Sequence, residues 1–174
     1  VGILDADMSL HFADFRSAER TYQLITQVAG RAGRDTKPGK VVLQTYTPNH
    51  YVYKLAIAND YEAFYRKEIN LREITKYPPF TEIVRVLVSS EDEQAAVAAL
   101  KRLNDRIGAY AQGNGDFVYL GIMRSPIKKK QNYYRMQLIT RLRVGASAAR
   151  NELFAAADEV ASPKVLCFVE SNPN

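Results

Sequence analysis

The chain has 174 residues with 24 Lys and Arg against 19 Asp and Glu, a formal net charge of +5. That length allows one ordinary domain or two small ones, and 47% apolar residues suffice for a packed core rather than an extended disordered region. A lone cysteine, Cys167, excludes an internal disulfide and a thiolate metal cluster, and no apolar run approaches the roughly 20 residues of a bilayer-crossing helix. The two histidines, His11 and His50, lie too far apart in sequence to suggest a metal pair. This usage fits a cytoplasmic protein with no membrane contact, and the basic balance is compatible with polyanionic partners.

Val1-Gly2-Ile3-Leu4 reads as a short, fully buried strand ending at Asp5, with an irregular loop from Asp7 to Phe15. No methionine precedes Val1, so the chain reads as a piece of a longer protein. A helix is expected from Ser17 to about Ala29, with Asp14 or Ser17 as its cap and Tyr22, Ile25, Val28 and Ala29 as its apolar pattern. Asp35-Thr36-Lys37-Pro38-Gly39 reads as a turn and Lys40 to Thr45 as a strand. Strand, helix and strand of this kind indicate a parallel α/β sheet, although two strands and one helix are too little for an independent lobe. A short helix is expected within Asn49–Asn59 and a longer one over Tyr61–Ile74, ending before Tyr77-Pro78-Pro79-Phe80. Tyr51, Tyr53, Tyr61 and Tyr65 are expected to join the two parts of the chain.

Glu82 to Ser89 alternates as a strand packed on both faces. Ser90 and Glu93 suit a capping box for a helix carrying Val97, Leu100, Leu103 and Ile107. Gln112 to Asp116 is a turn, Phe117 to Ile122 a strand, and Asn132 to Thr140 another. Ser147 to Ala161 is a helix with Leu153, Phe154, Ala157 and Val160 inward, and Lys164 to Glu170 closes the unit as a strand with Cys167 as a small buried apolar residue. The order β-α-β-β-α-β is the split βαβ arrangement. The domains expected are residues 1–59, a helical linker and Pro-Pro corner at 60–79, and residues 80–174.

Two stretches carry chemistry. Gln27-Val28-Ala29-Gly30-Arg31-Ala32-Gly33-Arg34 sets two arginines three residues apart, each after a glycine, at the end of an apolar-periodic helix. Guanidinium groups have five donors in a fixed fork and suit phosphate oxygens; Gly30 and Gly33 permit close approach, and Gln27, one turn earlier, can orient water or a phosphate oxygen. The bland alternative is a helix end whose arginines only complement the dipole. The second stretch holds Arg124, Lys128, Lys129, Lys130, Arg135, Arg141 and Arg143 with no acidic residue, interleaved with Tyr133 and Tyr134. Lysine and arginine give salt-sensitive phosphate affinity and aromatic rings stack on bases. The bland alternative is a solvated hairpin. Alternation puts Tyr134, Met136 and Leu138 on one face and Tyr133, Arg135 and Gln137 on the other, which makes Tyr133 the stacking candidate if the first face is core.

The arginine run resembles the last motif of superfamily 2 helicases. With Gly2-Ile3-Leu4-Asp5-Ala6-Asp7, Asp14-Phe15-Arg16-Ser17-Ala18-Glu19-Arg20, the strand Gly39 to Thr45, the Tyr77-Pro78-Pro79-Phe80 corner and Tyr134-Arg135, it is similar to the bacterial primosomal protein N′ family of replication-restart helicases over essentially the whole chain. The resemblance implies the end of a RecA-like second helicase lobe followed by an S10-like split βαβ domain. It implies Arg34 as the arginine finger, Arg31 on the terminal phosphate, Gln27 on the same surface, and Asp5 and Asp7 in the family's fifth motif at the nucleotide site. It further implies ATP and Mg²⁺, zinc elsewhere in the full-length family, 3′-to-5′ DNA unwinding at forks, and partners comprising forked or single-stranded DNA, single-strand DNA-binding protein and primosome proteins, in a monomer.

The departures are as informative. No Gly-Lys-Ser/Thr phosphate loop, no Asp-Glu-x-His strand and no zinc-binding cysteines occur, so this segment by itself is expected not to hydrolyse ATP. The family's acidic Asp-x-Asp-Pro ending is Glu170-Ser171-Asn172-Pro173 here. The competing function is a non-enzymatic module binding nucleic acid or protein. A small-molecule enzyme lacks any Ser/His/Asp, Cys/His or paired-carboxylate spacing.

Overall fold

A computed structural model describes residues 1–11, 14–32 and 40–173, apart from the side chains of Pro126 and Lys128. It divides into two compact units, Val1–Ile74 and Thr75–Asn174. The division falls after the long helix expected in a linker, which therefore belongs to the first unit.

In the first unit β1 (Gly2–Ile3) pairs in parallel with β2 (Val42–Leu43), Gly2 opposite Val42 and Ile3 opposite Leu43. Only Ile3 of the first strand is buried; Leu4 is 79% exposed, because each strand has one paired edge among the described residues. The stretch after Asp5 is not wholly irregular: Ala6–Leu10 forms a short helix, α1. Five residues give no amphipathic period, so the sequence pattern cannot announce it.

Helix α2 (Ser17–Arg31) buries Thr21, Tyr22 and Ile25 and runs two residues beyond its expected end. Its entry is fixed by Asp14, whose Oδ1 accepts the Arg16 amide N–H at 2.9 Å. Helix α3 (Tyr51–Ile57) is capped by His50, whose Nδ1 accepts the Val52 N–H at 3.4 Å. Burial, and then the charges of His11 and Lys67, depress the His50 pKa, which keeps that acceptor nitrogen unprotonated at neutral pH. Asp60 Oδ1 accepts the Ala63 N–H at the start of α4 (Tyr61–Ile74). The core joins these pieces: the Tyr22 ring stacks on Phe64 at 4.3 Å, beside Ile25, Val52, Tyr53 and Ala56. Tyr53 is a core residue of this unit and Tyr51 packs at the edge of the same core.

The second unit is a four-stranded antiparallel sheet with order β4-β5-β3-β6. Its elements are β3 (Thr81–Ser90), α5 (Glu93–Ala111), β4 (Phe117–Lys130), β5 (Tyr133–Arg143), α6 (Ser147–Val160) and β6 (Leu166–Ser171). Val84, Val86 and Val88 of the central strand face α5 and α6, with Leu103, Ile107, Leu138, Leu142 and Leu153 in the same core. Truncating one such leucine to alanine costs about 2–5 kcal/mol. Cys167 is half-buried at its margin, and burial pushes the thiol pKa up, so it stays protonated.

Three local expectations are corrected. Helix α5 is capped by Asp92, whose Oδ1 accepts from the Gln94 and Ala95 amides, while Ser90 Oγ accepts from Asp92 N–H. The Ser90–Glu93 capping box is displaced because the helix begins at Glu93. Phe154 is 44% exposed; α6 buries Ala149, Leu153, Ala156, Ala157 and Val160 instead, a small-residue face that Phe154 lies outside. β4 continues eight residues past Ile122, through the lysine triplet.

Candidate nucleotide-facing helix and nucleic-acid interface

Helix α2 presents the sequence-derived residues on its outer side. Its buried positions Thr21, Tyr22 and Ile25 leave Gln23, Gln27, Gly30 and Arg31 exposed. Gln27 and Arg31 are four residues apart, one above the other on a helix surface. The helix ends at once: Ala32 N–H bonds back to Ala29 O at 3.1 Å. Gly33 and Arg34 lie outside the described residues, so of the four terminal residues the structure places Gly30 and Arg31 alone.

The helix is anchored away from that end. In its first turn Glu19 pairs with Arg72 of α4 at 3.1 Å. Arg72 also holds Glu68 at 3.1 Å, and Glu68 accepts the Tyr51 hydroxyl at 2.7 Å. Burial, and then Glu68, push the Tyr51 hydroxyl pKa up and keep it a donor. Arg20 pairs with Asp14 at 3.0 Å, and the Arg16 guanidinium lies 4.3 Å over the Phe15 ring. None of this network was legible in the sequence. Its only local signal is the Glu68–Arg72 spacing on α4.

The two acidic residues of the first loop differ in environment. Asp5 is exposed, in the left-handed region at φ 50°, and caps nothing with its side chain. Asp7 is buried, and its carboxylate accepts four hydrogen bonds: Tyr46 N–H at 2.7 Å, Thr47 Oγ1 at 2.7 Å, Thr45 Oγ1 at 2.8 Å and Tyr53 Oη at 3.0 Å. Burial pushes its pKa up, but those four donors outweigh burial and hold it well below the usual carboxylate range. Asp7 thus ties α1 to the end of β2 and to α3, with three of its four donors on Oδ1 and one on Oδ2.

A measurable consequence follows from that clamp. Asp7→Ala lowers the thermal midpoint by roughly 10 °C, the scale set by losing several buried hydrogen bonds in a domain of this size. The wild-type contribution is complete above the ordinary carboxylate value of 3.8 and is lost as pH falls below it toward the depressed folded value. Calorimetry of wild type and Asp7→Ala from pH 7 to about pH 2 should show a constant gap between the midpoints down to about pH 4 and a narrowing gap below it. An equal gap at every pH would remove Asp7 from the clamp.

The lysine-rich stretch is the arm of a hairpin. Gln131 and Asn132, both at positive φ (50° and 69°), make the two-residue turn between β4 and β5. Lys130 lies opposite Tyr133 and Lys129 opposite Tyr134, with a register shift between Arg124 and Lys129. Lys130, Tyr133 and Arg135 therefore share one face of the hairpin. Arg124, opposite Met136, and Lys129 share the other. The Lys129 ammonium sits 4.8 Å over the Tyr134 ring, and Tyr134 packs against the core. Arg124, Lys129 and Lys130 are exposed, and Tyr133 and Arg135 are half-buried. The Lys128 side chain lies outside the described residues.

Among the described residues no cluster of three or more His, Cys, Asp or Glu could hold a metal ion, and no helix is long and apolar enough to cross a membrane. The family described as the primosomal protein N C-terminal domain matches residues 73–174. The replication restart protein PriA of Bacillus subtilis (strain 168) is 46% identical over 142 residues, 80% of this chain and 17% of that protein. PriA of Chlamydia trachomatis is 33% identical over 171 residues, 98% of this chain and 22% of that protein. PriA of Haemophilus influenzae is 38% identical over 139 residues, 80% and 19% respectively. The chain thus spans roughly a fifth of the length of these relatives.

Proposed function

The chain belongs to the PriA family of bacterial replication-restart proteins, and from that premise we propose that it is the carboxy-terminal part of an ATP-dependent 3′-to-5′ DNA helicase acting at forked DNA. The first unit is the end of a RecA-like second helicase lobe, and the second is an S10-like domain that grips DNA. In this reading the intact protein works in the cytoplasm as a monomer, in replication restart and primosome assembly, with single-strand DNA-binding protein and primosome proteins as partners.

The observation that carries the reading is the outer face of α2. Gln27 and Arg31 stand exposed on the last turns of a helix whose opposite side is packed and whose first turn is tied to α4. An amide and a guanidinium in that arrangement suit the terminal phosphate of a nucleotide bound by another lobe. Arg34, three residues on, is the finger in this scheme, and Asp5 and Asp7 orient the loop beside it. Bound ATP would supply the phosphoryl group whose developing charge these residues meet. The described residues do not fit Mg²⁺ or zinc, whose ligands would come from other parts of the intact protein.

Strand-separation assays with the intact protein test this. A duplex with a 3′ single-stranded tail should be opened only when ATP is present, and one with a 5′ tail should remain closed. Opening without hydrolysis, or hydrolysis that DNA does not stimulate, would overturn the assignment.

A further inference from the structure

The sheet face turned away from α5 and α6 carries a feature that the hairpin reading does not use. Register puts Tyr119 of β4 opposite Arg141 of β5, Arg141 opposite Ile83 of β3, and Phe168 of β6 opposite Leu87, so these side chains share that face. The hydroxyl end of the Tyr119 ring lies over Gly121: a Cβ at Gly121 would stand 2.8 Å from Tyr119 Cζ and closer still to the hydroxyl. The missing side chain is what lets the ring rest on the strand backbone. The Arg141 guanidinium sits over the Tyr119 ring at 5.0 Å and over the Tyr77 ring at 4.2 Å, held in place by donation from Nη1 to Thr75 O at 2.5 Å. Tyr119 is 39% exposed and Phe168, on the opposite edge strand, 53%.

Charge on this face is one-sided. Arg85, Lys130, Arg135, Arg141 and Arg143 are its cations, and its carboxylate Glu170 is engaged by Arg85 at 2.5 Å. At the centre, opposite Leu87, the buried Gln137 keeps an Oε1 that accepts no hydrogen bond. Strands β4 and β6 are three spacings apart, roughly 14 Å, which is room for more than one nucleotide. A part-exposed ring with a guanidinium over it, a second exposed ring and a cationic surround match a chain of phosphates carrying unstacked bases, which stack on aromatic rings and guanidinium planes alike. A duplex keeps its base faces hidden, and an acidic peptide would use the cations but leave the ring platform idle.

We propose that this open sheet face is a binding site for unpaired DNA, with Tyr119 stacking on a base and Arg135 and Arg143 on the phosphates. The proposal rests on the DNA-binding reading above and gives it a surface that adjoins the lysine tip and shares Lys130 with it. In the intact protein, Tyr119→Leu should weaken an unstructured oligothymidine about tenfold with an unchanged salt slope, since no charge is lost. Tyr119→Phe should restore binding, and Gly121→Val should match Tyr119→Leu by lifting the ring. An oligonucleotide bearing 5-iodouracil should cross-link to Tyr119 on irradiation, a readout that does not depend on any variant folding. Wild-type affinity in Tyr119→Leu with no adduct on this face would overturn the proposal, including the case where another segment of the intact chain covers it. If Lys129→Glu, on the other face of the hairpin, then still abolished binding, the broader DNA-binding reading would stand without this site.

Discussion

Replacing Arg34 with alanine in the intact protein lowers ATP turnover by about 10³-fold or more, the loss expected when an arginine finger is removed. Arg31→Ala lowers it by about 10²-fold, as for one donor to developing negative charge. Arg31 is exposed on the last turn of α2, and that helix is packed through Thr21, Tyr22 and Ile25, so removal of the Arg31 side chain leaves the fold intact. Lysine at either position restores only a fraction, because a point charge lacks the planar fork. Affinity for forked DNA without nucleotide changes little in all these variants. Steady-state hydrolysis beside DNA titrations separates the two effects, and near-normal turnover in Arg34→Ala takes that residue out of the finger role.

Reversing charge at Lys128, Lys129 and Lys130 together produces the second large effect. DNA affinity at low salt falls on the order of 10²-fold, and the slope of log affinity against log salt shrinks by about 2, since each single-strand phosphate neutralised by a lysine adds about 0.7. Lys129 and Lys130 are exposed beside the Gln131–Asn132 turn, so the sheet core is untouched and the thermal midpoint should hold. An unchanged salt titration would show that the hairpin is only solvated surface.

Where sequence and structure agree, a short-range physical pattern is responsible. Helix α4 can be read from Tyr61 to Ile74 because its apolar spacing is bounded by Asp60 on one side and the Pro78-Pro79 corner on the other. Strand β3 announces itself by β-branched alternation, and its central place in the sheet pairs both its edges, with β5 on one side and β6 on the other. The β-α-β-β-α-β order follows from such segments. What the pattern does not reveal depends on long-range partners. The Asp7 clamp draws its donors from residues 38 to 46 positions away, and only the Thr45–Thr47 alternation hints at it. The lysine arm resembles a loop because Pro126 has no N–H for a ladder and Gln131-Asn132 is not a favoured hairpin pair, yet pairing resumes at Lys129 and Lys130 beyond a register shift. Tyr119 and Gly121 stand two apart on one strand, a spacing that signals a ring over a glycine only once the strand is known.

In the proposed mechanism Arg31 and Arg34 meet a triphosphate held by another lobe. A structure of the intact protein with a non-hydrolysable ATP analogue and DNA tests it most directly. Both guanidinium groups should lie about 3 Å from β- or γ-phosphate oxygens, with Gln27 beside them. Both side chains in solvent, or locked in ion pairs remote from the nucleotide, would contradict it.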